Sequence, residues 1–570
     1  MADKTKKGMW KRTVKLFFNI RIPWPLYIIQ IALGIATTKV ALLYVPYETD
    51  LKLGNIDQPG VVWGYVGFML LAAAANIVSH IPSFYSSAIV GRNLQNKLIN
   101  RSLRLPMRSF EKNGSKIVSW ITQDCTLADG LLTSVIGFIT GIVSVYMSVT
   151  TMSAIDTTML FLVPFILVYI IFSTWFEGKM MFLRQRRERL AMSQLTAYFS
   201  EHLSFFTQIK QLHSYNEETE RGKKAIDGFY RADVYQALLT LINNFVSGSL
   251  TNVITILIFV LGVPKVAGGT ITIEQLAAFQ TYILIAYQSL SSVPSLYTSF
   301  MYYNGQLFYI ASLMSEKEEV YERKHTMDMP DRDIVFENVS FGYGEEKTVD
   351  NVSFTIPKGK KTVIVGPNGS GKTTLFKLIE RFYNPDSGVI RFGEYNSEDI
   401  HLQEWRQSIA YVLQEPQLFD GTIRDNINYG MNRDVTGEET ENAAKLACAD
   451  EFIKELPDGY DFEIGENGCH LSAGQRQRIA IARAVMLDPS YLLLDEATCN
   501  MDYKSEKTVN EALSKLMEGR TTVMITHDMN MLNKADHIIV MNEGRVEAEG
   551  TIEEARRCSA TLQKLIAAGF

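Results

Sequence analysis

Three short runs in the sequence carry side chains suited to work on a phosphate chain. Gly366-Pro-Asn-Gly-Ser-Gly-Lys-Thr373 follows an apolar run, Thr362–Val365, that reads as a strand, and it opens a helix predicted over Thr373–Arg381. Glycines let consecutive backbone N–H groups turn inward around phosphate oxygens, and the helix N-terminus behind them adds partial positive charge. Lys372 is placed to reach the β- and γ-phosphates, and Thr373 to ligate Mg²⁺. Tyr491-Leu-Leu-Leu-Asp-Glu496 reads as a buried parallel strand ending in two acids. Asp495 at its carboxyl end would hold Mg²⁺ through water, and Glu496 would polarise an attacking water. Thr521–Thr526 reads as another buried strand with His527 at its end. Ligands of open parallel sheets bind at the carboxyl ends of the strands, so the three runs describe one site for phosphoryl transfer from ATP.

Two kinds of polypeptide must be joined to position them. The 570 residues average to 47% hydrophobic with a net charge of −6. That average covers a first half nearly free of charge over long stretches and a second half with the texture of a soluble α/β domain. The small negative charge gives no reason to expect nucleic acid as a partner. Six segments reach the roughly 20 apolar residues that a helix needs to cross a bilayer core. They are Ile22–Tyr44, Val61–Ile81, Leu131–Ile155, Thr157–Phe176, Ala237–Val263 and Leu276–Tyr302, and Lys39 is their only formal charge. The connection from Arg92 to Lys116 holds seven Lys/Arg and that from Lys179 to Arg231 holds ten, whereas the opposite side holds only Lys52 and Lys265. That asymmetry predicts cytoplasmic N- and C-termini in the cell membrane.

The two long inner connections read as helical, with the spans continuing into the cytosol and turning there. Residues 1–21 carry seven cations against one acid and read as a basic helix lying at the interface, contacting membrane lipids, and not as a cleavable signal. The predicted organisation is thus an interfacial helix over 1–21, an all-α six-span domain over 22–314, a charged linker over 315–332 and an α/β nucleotide-binding domain over 333–570. The five cysteines, Cys125, Cys448, Cys469, Cys499 and Cys558, have no zinc-ligand spacing and read as free cytosolic thiols.

Leu471-Ser-Ala-Gly-Gln475, followed by Arg476-Gln-Arg478, resembles the signature of the ATP-binding cassette (ABC) family, and the other matches occur in that family's order. They are Tyr343, the phosphate loop, Gln414 in Tyr411-Val-Leu-Gln, the signature, the strand ending at Asp495 and Glu496, and His527. Leu418-Phe-Asp-Gly-Thr-Ile-Arg-Asp-Asn426 and Ile464-Gly-Glu-Asn-Gly468 resemble the exporter branch, and Leu105-Pro-Met-Arg-Ser-Phe-Glu-Lys112 is similar to its first inner connection. The chain thus looks like a type IV exporter-fold half-transporter. The resemblance implies that Tyr343 stacks on adenine and that Gly366, Pro367, Asn368, Gly369, Ser370, Gly371, Lys372, Thr373 and Thr374 cradle the phosphates. It further implies that Gln414 touches Mg²⁺ and the attacking water, that His527 holds the γ-phosphate, and that Asp502 lies in the loop crossing between sites. Ser472, Gly474 and Gln475 would serve nucleotide held by a second subunit.

Two departures from the family pattern are mild: Ala473 stands where Gly is usual, and the loop after Glu496 reads Cys499-Asn-Met-Asp502. With Lys372, Asp495, Glu496 and His527 all present, hydrolysis is expected as well as binding, and the intact motifs favour a homodimer over a heterodimer. Contacts with the ATPase domain are expected near Trp120–Cys125 and Phe199–Ser204. A cavity between the spans would take an amphipathic peptide, lipid or drug-like molecule, with Lys39, Tyr282, Tyr287 and Tyr297 as lining candidates. Import of a siderophore or cofactor by the same fold, and an ATP-gated channel or sensor, are the alternatives.

Overall fold

The computed structural model describes residues 15–18, 20–54, 59–169, 171–172, 191–192, 194–196, 198–203, 205–291, 293–319, 332–495, 503–526 and 528–567. Most of the interfacial segment, together with Glu496, Asp502 and His527, lies outside them. The chain forms two compact units. The first takes residues 1–103 and 113–316, and the second takes 104–112 and 317–570.

The first unit is helical. Its longest elements, Pro59–Ser102 and Tyr215–Ala267, have 44 and 53 residues. At 1.5 Å per residue each far exceeds a bilayer core of about 30 Å. Each continues well past its predicted apolar run, Val61–Ile81 or Ala237–Val263. Among the described residues three helical stretches are long and apolar enough to cross a membrane: Trp24–Leu51, Gly60–Ser102 and Asp124–Ser153. Shorter apolar helices cover Thr158–Tyr169 and Thr251–Ala267, and Ile273–Ser291 and Val293–Met314 follow.

Helices serve here because each satisfies its own backbone without water. Hydroxyls join in locally: Thr37 Oγ1 donates to the Gly34 carbonyl at 2.8 Å and Thr140 Oγ1 to that of Ile136 at 3.1 Å. Trp63, Phe84 and Phe245 are each more than 70% exposed, an apolar surface that lipid or a second subunit can cover. The buried Asp129 is held by hydroxyl donors from two other helices, Tyr27 and Ser86.

The second unit carries two sheets. A four-stranded antiparallel sheet has the order β2-β1-β4-β5, from β1 (Ile334–Phe341), β2 (Val349–Ile356), β4 (Ser387–Phe392) and β5 (Tyr395–Asn396). A six-stranded sheet has the order β10-β9-β3-β8-β7-β6. Its members are β3 (Lys361–Val365), β6 (Ile409–Val412), β7 (Tyr491–Asp495), β8 (Thr521–Ile525), β9 (His537–Asn542) and β10 (Arg545–Gly550). β9, β3, β8, β7 and β6 pair in parallel, and only β10 runs antiparallel.

The central strands are apolar on both faces, as parallel strands covered on both sides must be. One face packs Ile364, Leu493 and Ile525 against Leu375, Phe376 and the antiparallel sheet. The other packs Val363, Leu494 and Met524 against Ile479, Ala482 and neighbouring helices. Trp405 is fully buried and its indole N–H donates to the Ile379 carbonyl at 2.7 Å, anchoring the end of the helix Lys372–Ile379.

Arg406 fixes the start of the unit, donating to both carboxylate oxygens of Glu319 at 2.9 Å and to the Glu380 carbonyl at 3.3 Å. Burial raises the Glu380 carboxyl to about 8, a shift that the positive charge of Arg406 only partly opposes. A carboxyl whose folded pKa lies above its unfolded value of about 4.3 stabilises the fold fully below that value. The contribution is lost as pH rises through the folded pKa. Glu380→Gln is therefore expected to raise the thermal unfolding midpoint relative to the parent at pH 9 and to lose that advantage by pH 5. Paired melting curves of the detergent-solubilised chain across this range provide the check, and a difference independent of pH would count against it.

Candidate functional site

Parallel pairing brings the sequence candidates together. In the register of the sheet Ile364 faces Ile525, and Ile525 faces Asp495 on its other side. The turn after Val365, the end of β7 and the end of β8 therefore lie in one row at the carboxyl edge. β6 adds its own end beside β7, with Val412 opposite Leu494, so Gln414 follows at the same edge.

The phosphate loop has the backbone its glycines allow. Gly369 and Gly371 have φ of +80° and +98°, in the left-handed region that side-chain-bearing residues avoid. A Cβ at Gly371 would also approach the Thr348 carbonyl oxygen to 3.0 Å. Lys372 is 8% exposed, and its ammonium donates to the carbonyls of Gly366 at 2.7 Å and Pro367 at 3.1 Å. Those contacts keep a desolvated cation within its own loop, ready to exchange carbonyl oxygens for phosphate oxygens. Ser370 Oγ is buried without a partner among the described residues. An orphaned hydroxyl beside a buried ammonium at a helix start fits a phosphate chain, because buried polar groups are otherwise satisfied. Thr373 is exposed at the helix start and can offer its hydroxyl to a metal ion.

Tyr343, expected to stack on adenine, is 41% exposed and sits edge-on to Phe341 and Tyr383. Its hydroxyl lies 3.4 Å from Thr374 Oγ1, and Lys377 Nζ stands 5.1 Å above its ring. Sequence reading missed Lys377, Tyr383 and Glu111. The Tyr383 hydroxyl donates to the Glu111 carboxylate, and Lys377 lies 3.6 Å from the same group. Glu111 belongs to the stretch 104–112, which packs within the second unit. Within the stretch Trp120–Cys125, expected to lie near the contact with the ATPase domain, Trp120 and Cys125 are buried and Thr122 and Gln123 are exposed.

The signature forms a capped helix start. Ser472 is the N-cap of the helix Ala473–Leu487, accepting from the Gln475 N–H at 3.3 Å while Gln475 Oε1 accepts from the Ser472 N–H at 2.8 Å. Gln475 thus has a capping task within its own chain. Ser472 and Ala473 are exposed, so the methyl group at 473 costs nothing inside this chain. Gly474 is buried, and a Cβ there would come within 2.8 Å of Ser505 Cβ. Its need for glycine arises from the helix Tyr503–Met517, a packing role that the sequence could not reveal. A cavity of about 540 Å³ separates this helix start from Gln414, lined also by Glu466, Cys469 and Arg476.

Three predicted site residues, Glu496, Asp502 and His527, lie outside the described residues, and so does the side chain of Tyr297. Tyr282 and Tyr287 are 6% and 9% exposed, packed in an apolar cluster with Ile258, Phe279 and Ile283. The amphipathic character that suggested a cavity equally suits a phenol packed between helices. Lys39 is exposed on the helix Trp24–Leu43.

The Gly474 contact can be checked by compensation. Gly474→Ala is expected to lower ATPase turnover by about tenfold, in line with the cost of overpacking a tight site. Adding Ser505→Gly, which removes the obstructing Cβ, is expected to recover most of it. A double variant no better than Gly474→Ala would place the need for glycine elsewhere.

Comparison with known proteins agrees with this geometry. Residues 349–499 match the ABC transporter domain profile, and residues 27–290 match the profile of the ABC transporter transmembrane region. A multidrug resistance ABC transporter ATP-binding and permease protein of Lactococcus lactis is 30% identical over 577 residues, covering 97% of this chain and 96% of the relative. An ATP-dependent lipid A-core flippase of Desulfotalea psychrophila is 37% identical over 306 residues, 53% of each chain. The solved structure of a bacterial Atm1-family ABC exporter with ATP bound shares the fold, with a TM-score of 0.81 over 95% of this chain and 98% of that one at 23% identity. The parallel-edge site, the phosphate loop and the helical unit are thus parts of one known design, and the chain belongs to the ABC transporter family as a multi-pass, ATP-hydrolysing half-transporter of the exporter type.

Proposed function

We propose that two copies of this chain form a homodimer that moves an amphipathic molecule, a lipid, peptide or drug-like compound, out across the cell membrane by alternating access. The observation that carries the reading is the phosphate loop itself, with left-handed glycines, a buried Lys372 and an orphaned Ser370 hydroxyl, in one chain with long apolar helices. The names of the relatives, a multidrug transporter and a lipid flippase, support the substrate class. Both termini would be cytoplasmic, a reading supported by the distribution of cations. The working boundaries are 1–21, 22–314, 315–332 and 333–570, with 104–112 lent to the ATPase unit.

In this reading Thr373, Gln414 and Asp495 would hold Mg²⁺, which when bound neutralises charge on the phosphate oxygens. Lys372 and Ser370 bind the phosphate chain, and Tyr343 stacks on the base. Glu496 accepts a proton from the attacking water, and His527 orients the γ-phosphate. Ser472 and Gly474 contribute from the second copy, since an exposed, capped helix start is an anion site awaiting a ligand. One chain holds a single signature and a single phosphate loop, so two chains facing head to tail make two composite sites.

Glu496→Gln is expected to keep ATP affinity, to occlude ATP in the dimer and to stop transport into inside-out vesicles. Flux continuing at the parent rate would remove the active-pump reading. Flux in the opposite direction would favour import.

Lys39 is assigned to the substrate path as the one formal charge in the predicted spans. Lys39→Ala is expected to reduce substrate-stimulated ATPase several-fold while basal ATPase is retained. Equal stimulation in parent and variant would return Lys39 to the membrane interface.

A further inference from the structure

A second side chain bears on the metal-binding carboxylate. Tyr411 lies on β6, opposite Leu493 of β7 in the parallel register. Side chains alternate along a strand, so Leu493 and Asp495 share a face, and the Tyr411 phenol on that face can reach one step toward the carboxyl edge. Its hydroxyl donates to Asp495 Oδ2 at 3.0 Å. The ring is fixed from the other side by Phe376 of the phosphate-loop helix, edge-on at 5.7 Å, and it packs against the core beneath that helix. Phe376 stands four residues beyond Lys372, so the phenol touches both the element that binds phosphate and the strand that ends in Asp495.

The direction of donation is set by chemistry. A phenol hydroxyl carries a proton and an ionised carboxylate does not, so Tyr411 donates and Asp495 accepts. A carboxylate offers several lone-pair positions on two oxygens, so a donation at Oδ2 is compatible with a metal-bound water on the same group. One fixed donor removes the freedom of the carboxylate to rotate, and it does so without adding a charge that would repel a cation.

We propose that Tyr411 is a positioning residue that orients Asp495 for Mg²⁺. The inference rests on the reading of Asp495 as a metal-holding group. It assigns a task to the strand leading to Gln414: β6 aims the carboxylate of β7 three residues before it delivers its own candidate metal contact. Any movement of the Gln414 loop that drags β6 would then alter how Asp495 presents itself.

The test uses the full-length chain in detergent with a non-hydrolysable ATP analogue and Mn²⁺ as the spectroscopic probe. Mn²⁺ affinity is read by electron paramagnetic resonance for the parent, Tyr411→Phe and Asp495→Asn. Nucleotide affinity in EDTA is measured alongside. Tyr411→Phe keeps the ring and removes only the donor. It is expected to weaken Mn²⁺ binding about tenfold, the scale of one hydrogen bond to a charged group, and to leave metal-free nucleotide affinity unchanged. Mn²⁺ affinity unchanged in Tyr411→Phe but weakened in Asp495→Asn overturns the inference alone. Affinity unchanged in both overturns the metal role of Asp495 with it. Loss of metal-free nucleotide binding in Tyr411→Phe marks a folding role for the phenol and also overturns the inference.

Discussion

Parallel pairing of β3, β8, β7 and β6 is the constraint on which the site depends. Parallel strands point all their carboxyl ends one way, so turns leaving them meet at one edge. The phosphate loop leaves β3, Asp495 ends β7, and Gln414 follows β6. Residues separated by more than a hundred positions in the chain become neighbours because their strands are neighbours in the sheet. The pairing is affordable only because both faces are covered, by the phosphate-loop helix and antiparallel sheet on one side and the signature helix on the other. Stability and chemistry therefore share the same apolar strands.

The two cores also divide the labour of the site. Trp405 and Arg406 hold the phosphate-loop helix from beneath, beside its own Phe376, and the indole and guanidinium both reach backbone carbonyls. On the opposite face, Gln477 Nε2 donates to the Leu413 carbonyl at 3.2 Å, tying the signature helix to the strand end before Gln414. The helical unit follows a different rule. Its helices supply their own backbone partners and leave large apolar side chains exposed, the reverse of the ATPase unit, where Leu, Ile and Val are spent on a core.

Much of this was legible. The glycine pattern with Lys372 and Thr373, the apolar run ending at Asp495 and the long apolar helices are local signals, readable because a few adjacent residues carry the whole physical message. Strand and helix bounds agree to within a residue or two at β3, β7 and β8. Other features depended on partners distant in sequence. Tyr282 and Tyr287, read as lining because phenols are amphipathic, are packed among apolar neighbours. In the inner connection Trp120–Cys125, Trp120 and Cys125 are buried while Thr122 and Gln123 between them are exposed.

The sequence by itself determined the chemistry and the class: a phosphate loop, an acidic strand end, a signature run and a membrane-embedded half. Residue type and short spacing suffice for these, since backbone conformation, strand alternation and bilayer thickness act over a few residues at a time. Tertiary structure alone decided which groups meet. It put Ser505 against Gly474, Glu111 beside the Tyr343 cluster and the Tyr411 hydroxyl on Asp495. Such contacts depend on strand order and helix packing, which are set by the summed burial of many side chains and leave no mark at any one position.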